Sequence, residues 1–152
     1  MTDESFRVAE LIFEGTTCSH ILVKLALEAQ KQSSPELMRA MAGLNQGLGH
    51  GYACGALTGG CCVIGLYAGR GSDDRTEHPD FAEMLDEYVK WFEATSSQFG
   101  GLDCRNIIHG DKQLQQKRCP GLIVDAWMKI QEILVRHGIE VDAPPPVDWE
   151  LA

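Results

Sequence analysis

Six cysteines are the residues of this 152-residue chain best suited to specific chemistry. A thiolate is both a nucleophile and a ligand for soft metals, so grouped cysteines in a reducing compartment indicate redox or metal chemistry. Backbone N–H groups and the helix dipole stabilise a thiolate at a helix start, where its pKa falls to about 3.5–7.5. Four cysteines occupy predicted helix starts, and we predict that they act as redox thiols or metal ligands: Cys18, Cys54, Cys104 and Cys119.

The other two cysteines, Cys61 and Cys62, lie inside the apolar segment that follows Cys54, and we interpret them mainly as core side chains. Cys61 comes seven residues after Cys54, which is two helical turns, so it shares a helix face with Cys54 and is a further candidate ligand. His50, in the glycine-rich loop before Cys54, is another candidate ligand. For any single cysteine, inert burial is the alternative interpretation.

The spacing of the cysteines contains no C-x2-C pair, so a site would have to be assembled from distant segments. Small residues four apart follow Cys54, with Gly55 and Gly59 as one such pair. Such spacing lets another backbone approach closely. It is consistent with a cofactor pocket shaped by Gly55 and Gly59, with helix packing inside the chain, or with a homodimer contact.

The elements that must position these residues are predicted to be helices, because apolar residues recur at helical spacing and no segment alternates like a strand. Ser34 and Pro35 read as an N-cap and first helical residue, and Cys119-Pro120 reads as the start of the last helix. The predicted helices cover about 6–14, 18–30, 35–44, 53–68, 80–99 and 119–137. We therefore predict an all-α, single-domain bundle of about five to six helices over residues 1–152, with an extended proline-rich tail at 143–152.

The net charge of -9 argues against a nucleic-acid partner and favours a basic protein partner. The uncharged segment 52–69 is nearly long enough for a membrane helix, but its five glycines favour a core helix without membrane insertion. The N-terminal residues show no signal-peptide pattern. These features predict a cytoplasmic location.

The hexamer Cys54-Gly55-Ala56-Leu57-Thr58-Gly59 resembles the motif of a family of redox-active proteins named for the pattern C-GCAxxG-C-C. By position, Cys18 corresponds to the first cysteine of that pattern, and Cys104 and Cys119 to the last pair. The resemblance extends from the Cys18 segment to the helix after Cys119 and implies a redox or metal-cluster role for these four cysteines. Cys61 and Cys62 depart from the pattern.

Three classes of function fit these residues. The leading hypothesis is that the four cysteines converge and bind an iron–sulfur cluster or another thiophilic metal, for electron exchange with a redox partner protein or for metal sensing and delivery. A thiol/disulfide electron carrier without metal is the first alternative. A structural helical dimer with inert buried cysteines is the second. The sequence leaves open whether the protein is an enzyme. A hydrolase or a transferase has no support, because the sequence contains no nucleotide-binding loop and no nucleophile–His–acid arrangement.

Overall fold

The chain folds into helices connected by short turns, as shown by a computed structural model that describes residues 2–152. The all-α prediction is confirmed, because the described residues contain no strand and only one isolated antiparallel bridge, between Ala53 and Asp103. The described part of the chain has seven α-helices rather than the expected five to six: α1 Asp3–Phe13, α2 Cys18–Ala29, α3 Pro35–Met41, α4 Gly55–Ala68, α5 Phe81–Ser96, α6 Cys104–Ile108 and α7 Lys112–Arg136.

Helix α3 begins as its sequence predicts. The Ser34 hydroxyl accepts a hydrogen bond from the Leu37 N–H at 3.3 Å, and Pro35 occupies the first helical position. Because proline has no N–H and a pre-set φ, it suits a position whose N–H would have no partner within the helix. This short helix continues into a 3₁₀ turn at Ala42–Leu44.

The start of α7 corrects the prediction that Cys119-Pro120 opens the last helix. The carboxylate of Asp111 accepts hydrogen bonds from the N–H groups of Gln113 and Leu114, so the helix already begins at Lys112. The segment 112–118, outside the predicted helices, contains Lys, Gln, Leu and Arg, which are good helix formers. Pro120 therefore lies inside α7, where it leaves the Gln116 carbonyl without its usual N–H partner.

The extra helix, α6, lies between the predicted helices 80–99 and 119–137. Asp103 and Asn106 form a capping box at its start, in which the Asp103 N–H donates to the Asn106 side chain at 3.2 Å. His109 ends the helix in a left-handed conformation, with φ of 50°. The reciprocal cap explains why so short a segment holds a helical turn.

Helix α4 is the centre of the bundle and packs against α2, α5 and α7. A Cβ atom at Gly59 would come within 2.9 Å of the Ser19 carbonyl oxygen in α2. At Gly60 it would overlap the ring of Tyr88 in α5, whose hydroxyl donates to the Ala56 carbonyl at 2.8 Å. The small-residue face is therefore covered inside the chain.

A left-handed turn precedes α4, with Gln46 and Leu48 at φ of 53° and 61°. Gly47 is required there, because a Cβ would overlap the backbone of Tyr52. The chain then pairs with the entry to α6: the Cys104 N–H donates to the Tyr52 carbonyl at 2.7 Å, and the Cys54 N–H donates to the Leu102 carbonyl at 3.1 Å. This pairing sets the first residues of α4 and α6 side by side.

The proline-rich tail lies against the opposite part of the bundle. The Tyr67 hydroxyl donates to the Val141 carbonyl at 2.6 Å, and Trp149 meets the His78 ring edge to face at 4.7 Å between centroids. The tail ends in a 3₁₀ turn at Trp149–Leu151. Among residues 2–152, no helix combines the length and apolar character that crossing a membrane requires.

Candidate functional site

One cavity of about 310 Å³ lies at the end of the bundle where α2, α4 and α6 begin. Its wall also includes the end of α1, the turn before α4 and the first turns of α7. The four cysteines selected from the sequence all line it, each from a different helix or helix start: Cys18, Cys54, Cys104 and Cys119. The fold thus brings together thiols that are up to 101 positions apart in the chain.

Each of these cysteines is placed by a different local feature. Cys18 is the first residue of α2, Cys54 is the N-cap of α4, and Cys104 is the first residue of α6. Cys119 lies inside α7, directly before Pro120. Three of the four are therefore at helix starts, and Cys119 is not.

Gly55 permits the close approach of α2 and α4 at the cavity. A Cβ atom at this position would overlap the Cys18 sulfur and would come within 3.2 Å of the Ser19 nitrogen. The Cys18 thiol also donates a weak hydrogen bond to Asn45 Oδ1 at 3.5 Å. Any side chain at position 55 would displace the Cys18 thiol from the cavity wall.

The remaining wall of the cavity is mostly apolar and has no acidic or imidazole group. Isoleucine and leucine side chains from α1, α2, α6 and α7 line its interior, and amide side chains and Lys112 lie near the opening. Apart from amide and hydroxyl oxygens, its potential metal ligands on side chains are therefore four sulfur atoms, a set suited to soft metals. The polar lining residues that were not candidates from the sequence are Thr16, Thr17, Asn45, Gln46, Lys112, Gln115 and Gln116.

Burial sets the ionisation of these thiols. Desolvation raises the pKa of Cys54 to about 12 and that of Cys119 to about 12, and it also raises the pKa of Cys104. The prediction that a helix start lowers the thiol pKa is wrong for Cys54 and Cys104. For Cys119 it fails because this residue lies inside α7. The N–H groups of Ala56 and Leu57 do favour the Cys54 thiolate, but the loss of hydration outweighs them.

The thiols influence one another electrostatically, which shows their mutual proximity. Negative charge on Cys18 raises the pKa of each of the other three, and Cys104 and Cys119 interact as well. All six cysteines are free thiols. Within the described chain, however, no three of the sulfur atoms lie within 4.8 Å of one another.

This spacing is wider than one tetrahedral ion requires. Metal–sulfur bonds of about 2.3 Å would place the sulfur atoms roughly 3.8 Å apart. As placed, no three of the sulfur atoms are therefore close enough to bind one tetrahedral ion together.

Of the other candidates from the sequence, all but Gly55 lie away from the cavity wall. His50 is exposed, donates from Nδ1 to the Leu48 carbonyl at 2.8 Å, and stacks on Tyr52. Cys61 is half-buried in the middle of α4 beside Cys62, and burial raises its pKa to about 11. Gly59 packs on Ser19 of α2, whereas Gly55 is part of the wall.

A second polar cluster joins the start of α5 to the end of α7. Potential ligand atoms of Asp80, Glu83 and His137 lie within 4.8 Å of one another. His137 Nδ1 is 3.0 Å from Asp80 Oδ2, and Arg136 pairs with Glu87 on the same side. No local sequence signal indicated this cluster, because His137 is more than 50 residues from Asp80 and Glu83. Its contacts are those of an interhelical ion-pair network.

Comparison with known proteins identifies one family. A family model described as "Putative redox-active protein (C_GCAxxG_C_C)" matches residues 16–133. No curated protein matches the chain, and no solved structure does. The matched region contains all four cavity cysteines and most of the helices that form the wall.

Proposed function

Because the chain belongs to the C_GCAxxG_C_C family of redox-active proteins, we propose that it binds an iron–sulfur cluster in the cavity. Another thiophilic metal centre is the nearest variant of this proposal. The proposed ligands are the four thiols of the wall: Cys18, Cys54, Cys104 and Cys119.

The observation that carries the proposal is the convergence of four thiols on one cavity whose wall has no carboxylate or imidazole. Hard cations such as Mg²⁺ and Ca²⁺ prefer oxygen ligands, carboxylates above all, and the cavity wall has no carboxylate. Iron–sulfur clusters are commonly held by four cysteines. The donor set therefore fits a cluster.

The spacing of the sulfur atoms favours a cluster over a single ion. A zinc or iron ion with four thiolates would draw its ligands together more tightly than these sulfur atoms are placed. A group with several metal atoms requires ligands that are further apart. When bound, it would supply one-electron redox chemistry.

The protein's own residues would hold and protect such a group. The starts of α2 and α4 direct backbone N–H groups towards the cavity and carry no acidic residue in their first turns, so they favour bound negative charge. The Ile21, Ile107 and Ile123 side chains limit the access of water. Gly55 leaves room for the Cys18 sulfur at the wall.

Ligand binding must remove protons from buried thiols. The pKa values of Cys54 and Cys119 are about 12, so both are neutral near pH 7 and would release a proton when they bind a metal. Loading is therefore expected to weaken as the pH falls, because protons compete with the metal. A reducing compartment such as the cytoplasm would keep the thiols available, and we propose that location.

Inert burial is the second candidate, and the raised pKa values of the same thiols favour it. A neutral thiol attacks a disulfide slowly, so these values also make the metal-free thiol/disulfide carrier less favourable than the cluster. The two candidates differ in a simple respect. Inert cysteines would bind no metal and would be modified only on unfolding.

The proposal is tested by the absorption spectrum of protein purified without oxygen, with iron, zinc, copper and acid-labile sulfide measured on the same sample. We expect a brown protein with iron and sulfide in comparable amounts. Colourless protein without metal, even after anaerobic incubation with iron and sulfide, would reject the cluster. Native thiol titration of that colourless protein would then separate disulfide chemistry from inert burial.

A further inference from the structure

The charge near the cavity opening is opposite to that of the rest of the chain. Residues 104–118 contain four Lys and Arg and one Asp, whereas the remaining residues contain nine Lys and Arg and 21 Asp and Glu. This segment comprises α6 and the first turns of α7, both of which contribute to the cavity wall. A strongly acidic protein therefore has a basic region where its thiols are grouped.

The basic side chains of this region are accessible. Lys112 is exposed at the cavity opening, and Lys117 is exposed on the next turn of α7. Neither makes an ion pair with a carboxylate of residues 2–152. Arg105, next to Cys104, is 64% exposed, lies over the Tyr52 ring at 5.7 Å and pairs with Asp103 at 3.2 Å. Asp111, the acidic residue between Arg105 and Lys112, has its carboxylate engaged in capping α7.

Apolar side chains are exposed beside the same opening. Ile12 belongs to the cavity wall, and the next residue, Phe13, is 94% exposed at the end of α1. In the turn before α4, Leu48 and Tyr52 are also about half exposed. Glu14 is an acidic residue at the edge of this region.

We propose that these residues form a docking surface for an acidic electron-transfer protein. The mouth surface is defined by Ile12, Phe13, Leu48, Tyr52, Arg105, Lys112 and Lys117. The inference rests on the proposed redox function, since a partner that exchanges electrons must approach the cavity. Apolar and aromatic residues surrounded by charged ones are typical of transient protein interfaces.

Charge complementarity determines the class of partner. The net charge of -9 by itself predicts a basic partner and repulsion between this protein and an acidic one. The mouth surface reverses that expectation locally, because charges within about 10 Å dominate at physiological ionic strength. An acidic partner would be repelled by the rest of the molecule and attracted to this surface, which orients it towards the cavity.

The experiment is a titration of isotope-labelled protein with flavodoxin as the acidic probe, followed by amide chemical shifts at low and moderate salt. We expect shifts concentrated at Ile12, Phe13, Leu48, Arg105 and Lys112, and binding that weakens about tenfold as salt rises to about 0.2 M. Shifts elsewhere, or binding that strengthens with salt, would overturn the proposal. So would preferential binding of the basic probe cytochrome c to this surface.

A matched pair of charge reversals sharpens the experiment. Lys112→Glu should weaken flavodoxin binding about tenfold, and it preserves the helix because an acid is favourable in the first turn of α7. Arg70→Glu changes the net charge equally but lies at the opposite end of α4 from Cys54, about 20 Å away. It should leave binding nearly unchanged. Equal effects of the two variants would show that net charge alone causes the attraction, which would contradict the proposal.

Two further measurements separate the outcomes. Sedimentation of the protein alone tests whether the mouth surface binds a second copy. If the protein self-associates and Lys112→Glu abolishes the association, the surface is a homodimer contact and the proposal of an acidic partner is overturned. Metal and sulfide content is measured on the labelled sample, and the titration is repeated with metal-free protein. Loaded protein that fails to bind flavodoxin would reject the docking surface alone. Protein that binds flavodoxin but stays metal-free after anaerobic incubation with iron and sulfide would reject the cluster alone.

Discussion

Helix α4 carries cysteines in two different surroundings, at its start and in its middle. Burial raises the pKa of Cys54 at the start to about 12 and that of Cys61 in the middle to about 11, so desolvation scarcely distinguishes them. Cys54 lies on the cavity wall with three thiols from other segments, whereas Cys61 has Cys62 and the Tyr88 phenol as its interacting neighbours. The comparison shows that the meeting of several helix starts, and not the burial of a thiol, marks the candidate site.

The largest expected difference between the two surroundings is in metal binding. Cys54→Ser should abolish iron and sulfide binding, because it removes one of four sulfur ligands and leaves a hydroxyl that binds soft metals poorly. Cys61→Ser should retain the wild-type content, since its side chain does not line the cavity. Iron and acid-labile sulfide per chain, measured after anaerobic purification, compare the two variants.

The two variants must both be folded for this comparison to hold. Circular dichroism and the urea unfolding midpoint of metal-free protein provide the control. Equal loss of iron in folded Cys54→Ser and Cys61→Ser would contradict the proposal that Cys54 is a metal ligand and Cys61 is not.

The second prediction concerns the glycine that follows Cys54. Gly55→Ala should lower the iron content severalfold and destabilise the protein by about 1–3 kcal/mol, because the new Cβ overlaps the Cys18 sulfur. Gly43→Ala is the matched control, since a Cβ at Gly43 has no neighbour within 4 Å. Urea unfolding together with the iron assay measures both effects, and a fully loaded Gly55→Ala protein would show that this close approach does not matter.

The third prediction is a loss of stability of the metal-free protein at alkaline pH. Thiols of the unfolded chain ionise near pH 8.5–9, whereas Cys54 stays neutral in the folded state until about pH 12. Its contribution to the free energy of unfolding is therefore fully present below about pH 8.5 and is lost as the pH rises towards 12. Tyr67, whose pKa burial also raises to about 12, adds to the same loss.

Alanine variants measure how much of this alkaline loss of stability comes from Cys54 and how much comes from Cys61. Cys54→Ala and Cys61→Ala should each reduce the slope of unfolding free energy against pH, measured in urea between about pH 8 and 11, by a similar amount. Burial raises the pKa of both thiols above that of the unfolded chain. A slope that neither variant changes would contradict the burial of these thiols.

The smallest expected effect is at the phenol that packs across α4. Tyr88→Phe should destabilise the protein by about 1 kcal/mol, because the Ala56 carbonyl loses its hydrogen bond from the hydroxyl. Iron content should stay at the wild-type level, since Tyr88 does not line the cavity. A brown protein that loses its iron on this substitution would instead make Tyr88 part of the site.

Much of the fold follows from local sequence. The helical spacing of apolar residues and the Ser34-Pro35 start are properties of short segments, and the corresponding helices are present. The beginning of α7 was mispredicted because Pro120 suits a first helical position, and the competing cap at Asp111 lies eight residues before Cys119. Both signals are local, and the side-chain hydrogen bonds of Asp111 decided between them.

The site was only partly predictable from the sequence. The positions of the cysteines indicated which four line the cavity. Their pKa values were not predictable, because desolvation depends on the isoleucines that α6 and α7 bring over the thiols. The exclusion of His50 likewise depends on the left-handed turn at Gln46 and Leu48, which leaves His50 exposed and outside the wall.

The central claim is that four cysteine sulfur atoms hold one group containing several metal atoms. X-ray absorption at the iron edge of anaerobically purified protein tests it most directly, with Cys61→Ser as a second sample. We predict a first shell of sulfur alone around iron and a second shell containing iron, unchanged in Cys61→Ser. A first shell with nitrogen or oxygen, a single metal ion without a metal neighbour, or the absence of iron would contradict the claim.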